Sequence, residues 1–124
     1  MLTIVWIASG ILAAMVLVPA GMKLFTPKAK LERSMAWAED FSGWQIKAIG
    51  VLEVLAAIGL FVPPLTGILP ILAPLAAAGL VVLQVGAIVV HVRRGELKGI
   101  GLNTAIVLLA LFVALARFGV FGAL

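Results

Sequence analysis

The sequence predicts an all-α membrane protein: a four-transmembrane-helix bundle with a short interfacial amphipathic helix between spans 1 and 2. Three observations carry that prediction. Of 124 residues, 65% are hydrophobic and 11% charged, with a mean hydropathy of +1.30, far from the roughly one-quarter charged residues of soluble domains. Four stretches reach the ~20 predominantly apolar residues that a span requires. The connections between them are too short for a soluble domain, so residues 1–124 read as one membrane domain.

The first span is expected over about 2–22. It lacks a basic n-region and exceeds the usual apolar core of a secretory signal, so it reads as a retained span. Gly10, Ala14 and Gly21 recur at helical spacing and suit close approach of a neighbouring helix. Lys23 and Pro27 end it.

From about 28 to 41 the character changes, with Leu31, Met35, Ala38 and Phe41 spaced for one face of an amphipathic helix lying at the interface. Trp37 and Trp44 suit the aromatic belt at headgroup level. The composition is that of a membrane-surface connector before it is that of a binding lid.

The second span is expected over about 44–62, stopped by Pro63-Pro64, because the residue before a proline is pushed out of the helical region. The third runs over about 68–91, with Pro70 in its first turn and Pro74 as a kink one turn later, before Arg93-Arg94-Gly95. The fourth covers about 100–118. Asn103, Val107, Ala110, Ala114 and Arg117 form one stripe along it, predicted to face the bundle.

Of the nine Lys and Arg, all but Arg117 flank the first and third connections: Lys23, Lys28, Lys30, Arg33, Lys47, Arg93, Arg94 and Lys98. The positive-inside rule assigns that side to the cytoplasm and leaves both termini extracytoplasmic. Arg117 is expected to snorkel outward to phosphate or to the terminal carboxylate. The pI of about 10.2 follows from cations hugging span ends and gives no argument for nucleic acid.

Glu53 is the residue most out of place. It sits inside the apolar run from Ala48 to Val62, where a carboxyl is costly unless protonated, paired or wetted, and marks a functional site by default. Gly50, Ala56 and Ala57 share its face, so it should lie against protein. Counting from Lys47 and Arg93 at ~1.5 Å per residue, Glu53 lies about 9 Å in, between Gln84 at about 13 Å and His91 at about 3 Å. Either could reach it, and Lys23 could bend in to meet it. A polar lock that sets helix register and a site that handles a proton or ligand both fit this group.

Other chemistry is poorly supplied. Cysteine and tyrosine are absent and there is one histidine, which removes thiol exchange and leaves a metal site short of the about four ligands zinc requires. His91 beside Arg93-Arg94 reads as an interfacial residue before an axial haem ligand. Glu39-Asp40 are expected to be solvated, and there is no phosphate loop, nucleophile elbow or catalytic carboxylate pair.

The runs Pro19 to Leu24, Gly43 to Glu53, Ala56 to Pro64, Leu72 to Gly79 and Gly86 to Glu96 resemble the DoxX-like family of small four-helix bacterial membrane proteins over nearly the whole chain. The Gly-Val-Leu-Glu around Glu53 and the His-Val-Arg-Arg-Gly-Glu after the third span are the most specific pieces. The resemblance implies a multi-pass protein of the bacterial cytoplasmic membrane, with the family's lysine, glutamate and histidine falling on Lys23, Glu53 and His91. It further implies an accessory subunit of a quinone-linked redox or oxidative-stress process. A quinone is then the expected cofactor and a redox protein the expected partner. Glu53, His91, Lys23, Gln84 and Trp44 would form the ligand or proton site, with Trp44 stacking, and Arg117 and Asn103 secondary. The competing expectations are a non-enzymatic binder or transporter of a small lipophilic or ionic solute, and a structural scaffold. Alanine- and glycine-rich faces in excess of one bundle's needs predict a homo-oligomer within membrane lipid.

Overall fold

The computed structural model describes residues 1–98 and 100–124. Its four long helices are α1 (Leu2–Phe25), α3 (Gly43–Thr66), α4 (Leu72–Arg93) and α5 (Ile100–Arg117). The short helix α2 (Lys28–Ser34) and a 3-10 segment (Ala36–Asp40) lie between α1 and α3. At 24, 24, 22 and 18 residues, the long helices are about 27–36 Å long and fall within the about 17–25 residues of membrane-spanning helices. All four are apolar enough to cross a membrane.

Each long helix packs on the one before it, and α5 closes the ring against α1. Leu12, Val16, Leu60, Leu80, Ile106 and Val113 fill the centre and are essentially inaccessible. The outer faces are just as apolar: Ile7, Val18, Leu55, Val82 and Leu108 all stand exposed. Helices that are apolar all round are the signature of a lipid surround. Burial of hydrocarbon then gives little drive for association, and close van der Waals packing takes its place. Gly59 shows how close: a Cβ built there would lie 2.9 Å from the Cβ of Ala76.

Several boundaries differ from the sequence-based expectation. The α3 helix runs through Pro63 and Pro64 to Thr66. The local penalty on the residue before proline is overridden because the last turn finds other partners: the Thr66 hydroxyl donates to the Val62 carbonyl at 2.8 Å, and the N–H of Gly67 donates to that of Pro63 at 2.9 Å. Gly67 adopts φ +72°, the left-handed cap that only glycine takes without strain. The α4 helix starts at Leu72, which puts Pro70 before it and Pro74 within its first turn, where a missing N–H breaks no helical bond. The single interfacial helix expected over 28–41 is two pieces. Met35, at φ −127° and ψ 82°, breaks it, and the bend lets Leu31 and Ala38 both pack inward with Ile46. The α1 helix continues to Phe25, placing Lys23 inside its last turn. Gly10 and Ala14 of α1 turn outward instead of serving the helix contacts.

Candidate functional site

Antiparallel neighbours bring the C-terminal end of α1 beside the N-terminal half of α3. The start of α3 is firmly set: Ser42 and Gln45 form a reciprocal capping box, with Gln45 Oε1 accepting from the Ser42 N–H at 2.9 Å. Two turns further on, Gly50 removes the side chain that would hold α1 away. A Cβ there would lie 3.0 Å from Leu24 Cγ and 3.2 Å from the Ala20 carbonyl oxygen. One turn beyond this crossing, Glu53 accepts a hydrogen bond and ion pair from Lys23 Nζ. Glu53 is 1% exposed and Lys23 8%. At the last turn of α1, the ammonium also meets the negative end of the helix dipole.

Lys23 has a third neighbour. The 3-10 segment lays the Trp37 ring 5.6 Å from Nζ, within cation–π range. On its open side lies a cavity of about 380 Å³ whose walls include Lys23, Thr26, Lys28, Leu31, Ile46 and Lys47. Lys23 lines this cavity and Glu53 does not, so a molecule there meets Lys23, with Lys28 and Lys47, and not the carboxylate.

The other expected site residues separate into distinct groups. Gln84 is buried on α4 and accepts from Asn103 Nδ2 on α5 at 2.7 Å. His91 lies nearer the end of α4, with Nδ1 3.5 Å from Glu96 Oε1 and without a hydrogen-bond partner. Glu53 thus takes its partner from α1, while Gln84 and His91 are engaged toward α5 and the turn before it. Trp44 stands 72% exposed on the outer face of α3 and is not among the residues that line the Lys23 cavity. Arg117 does not snorkel outward. Its guanidinium carbon lies 4.6 Å from the Trp6 ring centroid, and its Nε and Nη2 are buried without partners.

A charged clasp joins the loops at this end. Arg94 donates to Asp40 at 2.6 Å, to Glu96 at 2.9 Å and to Glu39 at 3.4 Å. Glu39 and Asp40 are exposed, as expected, but they are paired. Asp40 first, then Glu96, holds the Arg94 guanidinium charged beyond even its ordinary range.

Trp37, Arg94 and the rim lysines Lys28 and Lys47 are the residues that sequence reasoning did not single out for a site. Their placement depends on how the 26–42 segment folds back over the bundle end, which no local spacing signals. A second groove, about 630 Å³, runs between α3 and α4 along Leu52, Leu55, Gly59, Leu75, Gly79 and Val82 and is apolar throughout. Among the described residues, no three His, Asp or Glu side chains converge as metal ligands do.

The DoxX-like family matches the chain over residues 7–114, from the first helix nearly to the end of the last. No curated protein and no solved structure matches it.

Proposed function

This chain belongs to the DoxX-like family, and on that premise we propose that it is a small membrane-embedded accessory subunit of a quinone-linked redox process. It holds the head of a lipophilic ligand at the basic end of the bundle, in the bacterial cytoplasmic membrane with both termini outside. The observation that carries this reading is Lys23: clamped by a buried carboxylate, faced by an indole and lining a cavity whose walls mix lysines with apolar side chains.

The residues fit a quinone head in kind. Lys23 retains N–H donors beyond the one given to Glu53, a quinone carbonyl is an acceptor, and Leu24 and Phe25 offer accessible hydrocarbon to the ring. A bound quinone would supply the redox chemistry. The chain's own share is to bind, orient and fix charge, with Glu53 keeping the Lys23 ammonium in place. The electron-transfer partner is a separate redox protein, since cysteine and tyrosine are lacking here.

The test is equilibrium dialysis of the purified protein, in neutral detergent, against a soluble short-chain quinone. Saturable binding is expected, weakened at least about tenfold in Lys23→Gln, which corresponds to about 1.4 kcal/mol. Lys23→Gln/Glu53→Gln keeps an uncharged hydrogen-bonding pair and guards against misfolding. Unchanged quinone affinity in both variants, with only thermal stability lowered, would leave the pair as a structural lock.

A further inference from the structure

The charge around the Lys23 cavity is unbalanced in a way that bears on what the cavity takes. Three of its lining residues are lysines, Lys23, Lys28 and Lys47, and its lining contains no acid. The chain has five acidic residues, and all are engaged: Glu53 with Lys23, Glu32 with Lys28, and Glu39, Asp40 and Glu96 with Arg94. Lys47 has no acidic partner among the described residues. Three cations against Glu53 and Glu32 leave one positive charge over at the cavity.

That surplus lies at the edge of a low-dielectric bundle, where a charge of opposite sign is felt more strongly than in water. Apolar walls from Leu24 and Phe25 adjoin the lysines. An amphiphile with hydrocarbon against those walls would set its polar head among three ammonium groups.

We propose that the Lys23 cavity selects a lipophilic ligand whose head is an oxyanion, such as an ionised ring hydroxyl, a carboxylate or a phosphate ester, over a neutral head of the same shape. This rests on the reading that the cavity holds a lipophilic head. Lys23 and Lys47 supply the free donors, and Lys47 supplies the charge that no internal carboxylate offsets. A plain quinone meets only hydrogen bonds from these donors, whereas a ring bearing an ionised hydroxyl meets the surplus charge as well.

The experiment compares two probes of near-identical shape, 2-hydroxy-1,4-naphthoquinone, ionised at neutral pH, and its neutral 2-methoxy analogue. Binding is measured by equilibrium dialysis to the full chain in discs of zwitterionic lipid. The anionic probe is expected to bind roughly tenfold more tightly, the combined effect of a few partly exposed charge contacts. Lys47→Gln should cut that preference to about threefold or less, as should raising salt from about 0.05 M to about 0.5 M, which shortens the screening length. Adding anionic phospholipid to the discs separates the sources: competition assigns the oxyanion to a lipid phosphate, and undiminished probe binding assigns it to a ring or soluble acid. Equal affinity for the two probes, unaltered by Lys47→Gln, would overturn oxyanion selection while leaving the cavity as a quinone site. Binding of neither probe would overturn the cavity reading and this inference together.

Discussion

Two ion-pair systems sit at the same end of this bundle and differ in nearly everything except chemistry. Lys23–Glu53 joins two spans, with side chains 9% and 1% exposed, and each charge has a single ionic partner. Arg94 joins loops, reaching Glu39, Asp40 and Glu96 whose side chains are 58%, 55% and 27% exposed. Removing one member of a buried pair strands the other in a medium that solvates it poorly, whereas removing one member of an exposed cluster returns its neighbours to water. The number of contacts is therefore a poor guide: the single buried pair should govern helix register and the site, and the three-way clasp only the seating of the 26–42 segment.

The largest test is Glu53→Leu. It leaves Lys23 without its carboxylate and should lower unfolding free energy by about 3–5 kcal/mol in reversible detergent denaturation. Lys23→Met/Glu53→Leu should recover most of that loss, because a well-packed apolar pair is often as stable as the ions it replaces. If the single and double variants were equally unstable, the contrast between the two systems would collapse.

Gly50→Val probes the crossing that positions the pair. With Leu24 Cγ and the Ala20 carbonyl oxygen already 3.0 and 3.2 Å from a Cβ there, the larger side chain should cost about 1–3 kcal/mol. The control, Gly10→Ala, has nothing within 4 Å and should stay within about 0.5 kcal/mol of the parent. Asn103→Ala removes the polar bridge to Gln84 and should cost about 0.6 kcal/mol and no more than about 1.7, the mean and maximum found for interhelical hydrogen bonds in a membrane bundle. A loss as large as that of Glu53→Leu would move the principal lock from α1–α3 to α4–α5.

The smallest effect belongs to Arg94→Gln. The midpoint of global unfolding should stay where it is, while trypsin cleavage within 26–42 becomes several-fold faster, and high salt should bring the parent toward the variant. A clear drop in global stability would show that the exposed clasp holds the bundle and sharpen the comparison in the opposite direction.

Reading the chain as four spans succeeded because span length and apolarity are set locally by the bilayer, and Glu53 stood out because an acid conflicts with its neighbours in the sequence. Choosing its partner was a different matter. Depth along the helix axis put Gln84 and His91 within reach beside Lys23, which could bend in from the end of the first span, but depth carries no information on which neighbour lies to which side. The ring order of helices gave Glu53 to α1 and Gln84 to α5. Trp44 is the tryptophan nearest Glu53 in the chain, yet its face of α3 turns outward, and Trp37 reaches Lys23 through the bend at Met35.

Composition, hydropathy and the clustering of basic residues by themselves determined a multi-pass helical protein with one charged end and an intramembrane carboxyl, since each follows from the cost of placing a given residue in hydrocarbon. Which carboxyl meets which cation, which prolines stay helical and which lysines surround a cavity were decided only by the tertiary structure. The reason is geometric: side chains distant in the chain interact through the order and approach of whole helices, and that approach is set by a few small residues such as Gly50 and Gly59 whose packing faces the apolar pattern alone does not distinguish from those of Gly10.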